Sequence, residues 1–173
     1  MRAAEFWKAV TMDETNLLED FVRSLETHGI RYCVIGGQAV NAYVEPLVSL
    51  DLDVVVATEQ MAALEPLFAQ GYRVERFPHS LNVSRTGSDL RIQIQTDARY
   101  APFVHRASAR DVLGMRLTVA ALDDVLQGKI WAAEDPSRRG SKRQKDLADI
   151  ARILESFPQL RERVPANLLA RLA

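Results

Sequence analysis

Hydrophobic positions in the first half of the chain recur with the periods of alternating helices and strands. Leucine, valine and phenylalanine at helical spacing predict helices, and short stretches rich in β-branched residues predict buried strands. The predicted order is helix, strand, short helix, strand and helix: Asp13–His28, Arg31–Ile35, Gln38–Tyr43, Leu50–Ala57 and Glu59–Gln70. Gly29 and Gly71 follow the two longer helices, as is typical of helix ends.

A strict alternation of apolar and polar residues follows further along the chain. Leucine and isoleucine alternate with arginine and glutamine across Asp89–Thr96, which predicts a strand with one apolar face and one polar face. Short strands are also predicted at Tyr72–Phe77 and Leu81–Arg85, with a turn at Pro78 between them.

From Val119 onward the pattern becomes helical. An apolar stripe that ends at Ile130 predicts one helix, and the basic loop PSRRGSKRQK follows it. A second apolar stripe predicts a helix over Asp146–Phe157, and Pro165 precedes a short last helix.

These elements predict an α/β (α+β) fold with a small mixed β-sheet, flanking helices and C-terminal helices. The length of 173 residues and the hydrophobic fraction of 47% suit one compact domain with an ordinary core. Within it, we expect residues 1–118 to form the α/β core with an N-terminal helix. Residues 119–173 are expected to form a helical part that packs on this core.

Composition limits the classes of function. The formal net charge is -1, from 22 Lys+Arg and 23 Asp+Glu, so a site for a polyanion has to be a local cluster. The single cysteine, Cys33, excludes an intramolecular disulfide. No segment approaches about 18 consecutive apolar residues, and charges interrupt the N-terminal segment. We therefore expect no membrane span, no signal peptide and a cytoplasmic protein.

Two aspartates at the start of the strand Leu50–Ala57 are the strongest candidates for chemistry. Asp51 and Asp53 are two residues apart, so on a strand they share one face, with Cα atoms about 6–7 Å apart. Two carboxylates this close repel each other, and a bound Mg²⁺ relieves the conflict because it prefers oxygen ligands. The alternative is an acidic strand start that only keeps the edge soluble.

A glycine pair precedes these aspartates at a predicted strand-to-helix junction. At such a junction, Gly36 and Gly37 allow backbone N–H groups to approach phosphate oxygens, next to the positive end of a helix. The alternative is a tight turn that requires positive φ. Neither motif is specific alone, but their order and spacing together favour a nucleotide site.

The segments VIGGQAVNAY and SLDLDVVV together resemble the signature of the nucleotidyltransferase fold, the polymerase-β-like superfamily. The later segment GKIWAAEDPSRRGSKRQKDLADI is similar to the Lys…Arg…Lys-Asp region of bacterial abortive-infection and toxin–antitoxin nucleotidyltransferases. Aminoglycoside nucleotidyltransferases share the early motif. The resemblance implies a small mixed sheet that holds a nucleoside triphosphate and Mg²⁺ or Mn²⁺. The implied reaction is attack of an acceptor hydroxyl on the α-phosphorus.

The resemblance also implies roles for individual residues. Asp51 and Asp53 would be catalytic and bind the metal. The implied nucleotide-binding residues are Gly36, Gly37, Gln38, Ser49, Lys129 and Lys145. The implied partners are the triphosphate, an RNA or protein acceptor and a cognate partner protein.

The third carboxylate of the family is missing. Its best-aligned position is Gln93, whose amide cannot take a proton, although its oxygen can ligate or hydrogen-bond. Asp97 has the same strand parity and is a candidate acid, but it is also a typical turn residue ahead of the next element. The protein is then a metal-dependent transferase or, alternatively, a non-catalytic nucleotide-binding or interaction module.

A local basic cluster lies in the late segment of this neutral chain. Its members are Lys129, Arg138, Arg139, Lys142, Arg143 and Lys145. It would hold triphosphate oxygens or a polynucleotide backbone, or it is a solvated loop. Lys145 is four residues before Asp149, so the two are spaced for an ion pair on a helix. The three histidines show no partner pattern and are interpreted as bystanders.

Overall fold

The computed structural model of the chain describes Glu5, residues 16–112 and residues 114–172. Positions 13–15, which begin the first predicted helix, lie outside the described residues. Within the described residues, the strands form one seven-stranded mixed sheet in the order β3-β4-β5-β2-β1-β7-β6. The strands are β1 Tyr32–Ile35, β2 Asp51–Val56, β3 Arg73–Phe77, β4 Ser80–Ser84, β5 Arg91–Gln95, β6 Ser108–Val112 and β7 Met115–Val119.

Helices surround this sheet. The α-helices are α1 Leu17–Thr27, α2 Gly36–Asn41, α3 Leu64–Phe68, α4 Phe103–Arg106, α5 Leu122–Glu134, α6 Gly140–Ser156 and α7 Ala166–Leu169. Short 3₁₀ helices occur at Thr58–Ala63, Ala98–Tyr100 and Pro158–Arg163. These elements confirm the predicted mixed α/β fold, whereas the division at residue 118 stays a prediction.

The central strands carry the functional motif because they are the most apolar part of the sheet. All four residues of β1 are buried, and β2 is buried apart from its two aspartates. β2 pairs antiparallel with β1 and parallel with β5. A strand paired on both sides in the middle of a sheet holds its side chains in a fixed register. The carboxylates of β2 are therefore rigidly placed.

The hairpin β6–β7 is an element that the sequence patterns missed. Four of the five residues of β6 are exposed, because it is the last strand of the sheet. Without alternating burial, its sequence SARDV lacks the periodic signal on which strand prediction depends. β7 joins the sheet beside β1, with Val34 opposite Val119.

Two predicted helices have different bounds in the structure. The prediction of a basic loop is wrong for the second half of PSRRGSKRQK, since α6 already begins at Gly140 and includes Lys142 and Lys145. The predicted helix Glu59–Gln70 is a 3₁₀ helix followed by the short α3. Pro66 explains this division, because it has no N–H to donate to the carbonyl four residues earlier.

The C-terminal helices lie beside the short helix α2, which contacts β2. α5 packs against α6, and both contact α2. Buried residues of α5 and α6 include the charged Lys129 and Asp146 beside leucines and isoleucines. Among the described residues, no helix is both long enough and apolar enough to cross a membrane.

Candidate functional site

Strand register brings the two aspartates and the glutamine together at one end of the sheet. Asp53 lies opposite Ile35 of β1 and opposite Gln93 of β5. Asp51 lies opposite Arg91, and the Arg91 Nε is 3.5 Å from the Asp51 Oδ1. Gln93, the position that the sequence resemblance aligns with a third carboxylate, therefore lies directly beside Asp53.

Gly36 is required at the corner between β1 and α2 for two reasons. Its φ of +70° lies in the left-handed region, which residues other than glycine rarely adopt. A Cβ atom at this position would also collide with the Asp53 carboxylate. At Gly37, an added Cβ would meet only Asp149 Oδ2, at an ordinary 3.9 Å. The steric requirement in the glycine pair therefore falls on Gly36.

Asp53 is partly buried, and one oxygen of its carboxyl group is fully enclosed by the protein. Its Oδ1 atom is inaccessible to solvent and has no hydrogen-bond partner among the described residues. Burial raises the pKa of Asp53 to about 6; the positive charge of Lys129 opposes this shift, and the negative charge of Asp51 adds to it. A buried, unsatisfied carboxylate is costly for the folded protein unless a cation binds it.

A buried ion network fixes the cations next to Asp53. Lys129 Nζ is 3.0 Å from Asp146 Oδ1 and 2.8 Å from Asp149 Oδ2. Arg138 Nε donates to Asp146 Oδ2 at 2.6 Å. Burial alone would lower the pKa of Lys129, but Asp149 and Asp146 outweigh it and raise that pKa. Lys129 therefore stays charged, and two anions of α6 determine its position.

A cleft with two connected halves opens around these groups. The halves have volumes of about 360 Å³ and about 670 Å³. They share Asp53, Gln93, Lys129, Arg138 and Asp146. We call the smaller half the aromatic half, because Tyr100 and Trp131 also line it. We call the larger half the basic half, because Lys142 and Lys145 also line it. Volumes of this size suit small organic ligands.

The basic half contains three cations that form no ion pair with another described residue. Among the described residues, Arg139, Lys142 and Lys145 make no side-chain hydrogen bond or ion pair, and all three line this half. They lie at the start of α6, whose first turn has no acidic residue. Positive charges at a helix N-terminus are unfavourable unless an anion is bound there. This arrangement favours a polyanionic ligand.

The proposed ion pair between Lys145 and Asp149 is absent from the described residues. Asp149 instead contacts Lys129 and Arg152, the latter at 2.7 Å from Nη1 to Oδ1. Lys145 is exposed and lines the basic half. Its charge is therefore available to a ligand.

Asp97 lines the aromatic half but already has protein partners. Its carboxylate accepts a hydrogen bond from Arg99 N at 2.9 Å and forms an ion pair with the Arg99 guanidinium at 3.0 Å. These hydrogen bonds from Arg99 hold the pKa of Asp97 below its usual range. A low pKa makes Asp97 a weak proton acceptor near neutral pH. The geometry matches the turn residue that the sequence left open as an alternative.

Gln38 and Ser49 meet each other at the edge of the basic half. Gln38 is 1% exposed, and its Nε2 donates to the Ser49 carbonyl at 3.2 Å. The Ser49 hydroxyl accepts a hydrogen bond from Asp51 N at 3.3 Å, and Ser49 lines the cleft whereas Gln38 does not. In this structure, Gln38 supports the loop that precedes β2.

Sequence reasoning missed several residues that line the cleft. His79 and Trp131 lie in the aromatic half, and Arg91 and Arg152 lie in the basic half. Arg91 had a detectable signal, because it precedes Gln93 by two on the same strand face. The position of His79 depends on the β3–β4 turn, which periodicity does not fix.

The donor set fits a divalent cation that is completed by its substrate. No group of three or more His, Cys, Asp or Glu side chains is arranged for a metal among the described residues. Asp51 and Asp53 offer two carboxylates, one with an orphaned buried oxygen. Mg²⁺ characteristically binds one or two carboxylates together with water and substrate phosphates. The pair of carboxylates therefore fits Mg²⁺ or Mn²⁺ only as part of a phosphate complex.

Solved structures with low sequence identity share this architecture. The antibiotic-resistance factor ANT(2'')-Ia has a TM-score of 0.62 over 91% of this chain and 87% of that chain, at 13% identity. The lincosamide antibiotic adenylyltransferase LnuA, with lincomycin bound, has a TM-score of 0.56 over 82% of this chain and 98% of that chain, at 11% identity.

A nucleotidyltransferase-like protein from Paracoccidioides brasiliensis is also similar, with a TM-score of 0.54 over 96% of this chain and 86% of that chain, at 17% identity. No protein-family model matches the chain, and no curated protein matches it significantly. At these identities the likeness shows the fold alone. The chain has the nucleotidyltransferase fold.

Proposed function

We propose that the protein is a metal-dependent nucleotidyltransferase that transfers a nucleoside monophosphate from a triphosphate to a hydroxyl acceptor. The observation that carries this proposal is the corner at Gly36. There, the absence of a side chain leaves room for the Asp53 carboxylate, one oxygen of which is buried without a hydrogen-bond partner among the described residues. Arg139, Lys142 and Lys145, which form no ion pair within the described part of the chain, line the adjoining basic half.

Different residues of the cleft would bind different parts of the nucleoside triphosphate. Asp51 and Asp53 would hold Mg²⁺ or Mn²⁺ against the triphosphate, and the ion would stabilise the attacking and leaving oxygens. Lys129 and Arg138 line both halves of the cleft, so their charges would attract the oxygens of the phosphate that reacts. Arg139, Lys142 and Lys145 would bind the phosphates that leave as pyrophosphate.

The other half of the cleft suits the acceptor. In an in-line displacement the attacking and leaving oxygens lie on opposite sides of the phosphorus. With the leaving phosphates in the basic half, an acceptor hydroxyl approaches from the aromatic half. An RNA end or a protein side chain is the acceptor that the late sequence motif favours, within a toxin–antitoxin or phage-defence pair with a cognate partner protein.

A second candidate function follows from Gln93. This amide lies directly opposite Asp53, where the family has a proton-accepting carboxylate, and Asp97 is engaged by Arg99. A chain with this site would bind nucleotide and metal without turnover, as a degenerate transferase that acts as a binding module. The two candidates differ only in the chemical step.

Label transfer tests the first candidate directly. The protein is incubated with each α-³²P-labelled triphosphate, Mg²⁺ or Mn²⁺ and a cell extract that supplies acceptors. We expect label on one macromolecular fraction with the wild type and none with Asp53→Asn. Nucleotide binding by calorimetry with no label on any fraction would support the binding module instead. Absence of both binding and transfer would refute the nucleotide site.

A further inference from the structure

The loop between α2 and β2, residues 42–50, presents exposed apolar side chains to the cleft. Leu47 and Val48 are each 57% exposed, and Leu50 is 41% exposed. All three line the basic half. Phe77 is the other exposed large hydrophobic residue among those described, and it lies on β3 outside both halves. A cluster of exposed apolar residues at a cleft is typical of a ligand contact.

Several hydrogen bonds connect this loop to α2 and α6. The Asn41 side chain donates to the Leu47 carbonyl at 2.7 Å and accepts from Leu47 N at 2.9 Å. Arg152 Nη2 donates to the Glu45 carbonyl at 2.5 Å, and Gln38 donates to another carbonyl of the loop at 3.2 Å. The apolar side chains therefore stand on an anchored loop, as a binding surface requires.

The aromatic residues of the other half are already used in packing. The Trp131 ring is stacked on Phe103, with ring centroids 5.8 Å apart and an interplanar angle of 5°. Tyr100 contacts the same ring edge-on at 5.1 Å, and the Arg99 guanidinium lies 4.8 Å from its centre. A ring with these neighbours offers little surface to a nucleobase.

The basic half combines two different surfaces within one cavity. The cations at the start of α6 and the apolar loop both line this half, which has a volume of about 670 Å³. A ligand complementary to both has several negative charges at one end and a flat, largely apolar group at the other. A nucleoside triphosphate has this composition, and its phosphates would reach the carboxylates of β2.

We propose that Leu47, Val48 and Leu50 form the surface on which the nucleobase packs, and that the site accepts all four bases. This inference rests on the proposed function. The two neutral polar side chains next to the surface are engaged, since Asn41 binds the loop backbone and the Ser49 hydroxyl binds the Asp51 backbone. Apolar contact discriminates weakly, whereas strong discrimination needs buried hydrogen-bonding groups.

Calorimetry with two kinds of ligand tests this inference. The full chain is titrated, in Mg²⁺, with ATP, GTP, CTP, UTP and inorganic tripolyphosphate, which lacks a base. We expect each nucleotide to bind about tenfold more tightly than tripolyphosphate, and the four nucleotides to agree within about tenfold. The double variant Leu47→Ser/Val48→Ser should weaken every nucleotide about tenfold and leave tripolyphosphate unchanged. Phe77→Ser, a matched control outside the cleft, should change neither.

Three results would overturn the inference while leaving the phosphate site intact. In the first, nucleotides bind no more tightly than tripolyphosphate. In the second, one nucleotide binds more than about a hundredfold more tightly than the others, and in the third, the double variant binds nucleotides with unchanged affinity. Failure of tripolyphosphate and all nucleotides to bind would instead refute the proposed function, and this inference with it.

Discussion

Neutralising Asp53 should stabilise the protein while it abolishes nucleotide transfer. Burial raises the pKa of this carboxyl from 3.8 to about 6. Because two pKa units correspond to about 3 kcal/mol, the charged form at pH 7 costs the fold up to about that amount. The variant Asp53→Asn removes the charge and keeps the shape. We expect its free energy of unfolding, measured in urea without metal, to rise by about 1–3 kcal/mol.

The pH dependence of this difference has a definite sign. The folded pKa is raised above the unfolded value, so between pH 6 and pH 4 the native wild type binds more protons than the unfolded chain. Its stability relative to Asp53→Asn should therefore rise as the pH falls through about 6. Asp97→Asn is the matched control. Hydrogen bonds from Arg99 lower the pKa of Asp97, so the loss of this carboxylate should destabilise the protein. An Asp53→Asn variant less stable than the wild type at pH 7 would refute this account of the site.

Three further predictions concern the surroundings of Asp53. Gly36→Ala should lower the free energy of unfolding by about 2 kcal/mol or more and abolish metal-dependent nucleotide binding. The new Cβ would collide with the Asp53 carboxylate, and alanine is strained at the positive φ of this position. An unchanged urea midpoint would contradict this prediction. Asp146→Asn should lower the free energy of unfolding by about 3 kcal/mol, because Arg138 loses its anionic partner and Lys129 keeps only one of two. A decrease below about 1 kcal/mol would show that these ion pairs contribute little to stability. Gln93→Glu should increase label transfer at least about tenfold by supplying a proton acceptor, and no increase would argue for the binding module.

The central motif was predictable because short-range patterns determine it. An apolar strand, a glycine pair and an alternating Asp-x-Asp strand fix the fold around Gly36 and the shared face of Asp51 and Asp53. The predicted α/β fold is confirmed, and the register places Gln93 beside Asp53, where the alternating pattern of β5 allowed it to lie. Site roles for these residues stay predictions until ligands are tested.

Long-range contacts account for what the sequence did not predict. The partner of Asp149 is Lys129 on another helix rather than Lys145 on its own, because α5 and α6 pack side by side. Such a pairing depends on tertiary structure, which helical spacing cannot report. β6 was missed because an exposed edge strand needs no alternating apolar face, and its position follows from the hairpin with β7.

A crystal of the protein soaked with Mn²⁺ and a non-hydrolysable nucleoside triphosphate would show whether Asp51 and Asp53 bind a metal together with a nucleotide. Anomalous scattering locates the metal independently of the protein. We predict a peak within about 2.0–2.4 Å of carboxylate oxygens of both Asp51 and Asp53, with triphosphate oxygens on the cations that begin α6. A nucleotide bound outside the cleft, or a metal that contacts neither aspartate, would refute the proposed nucleotide site.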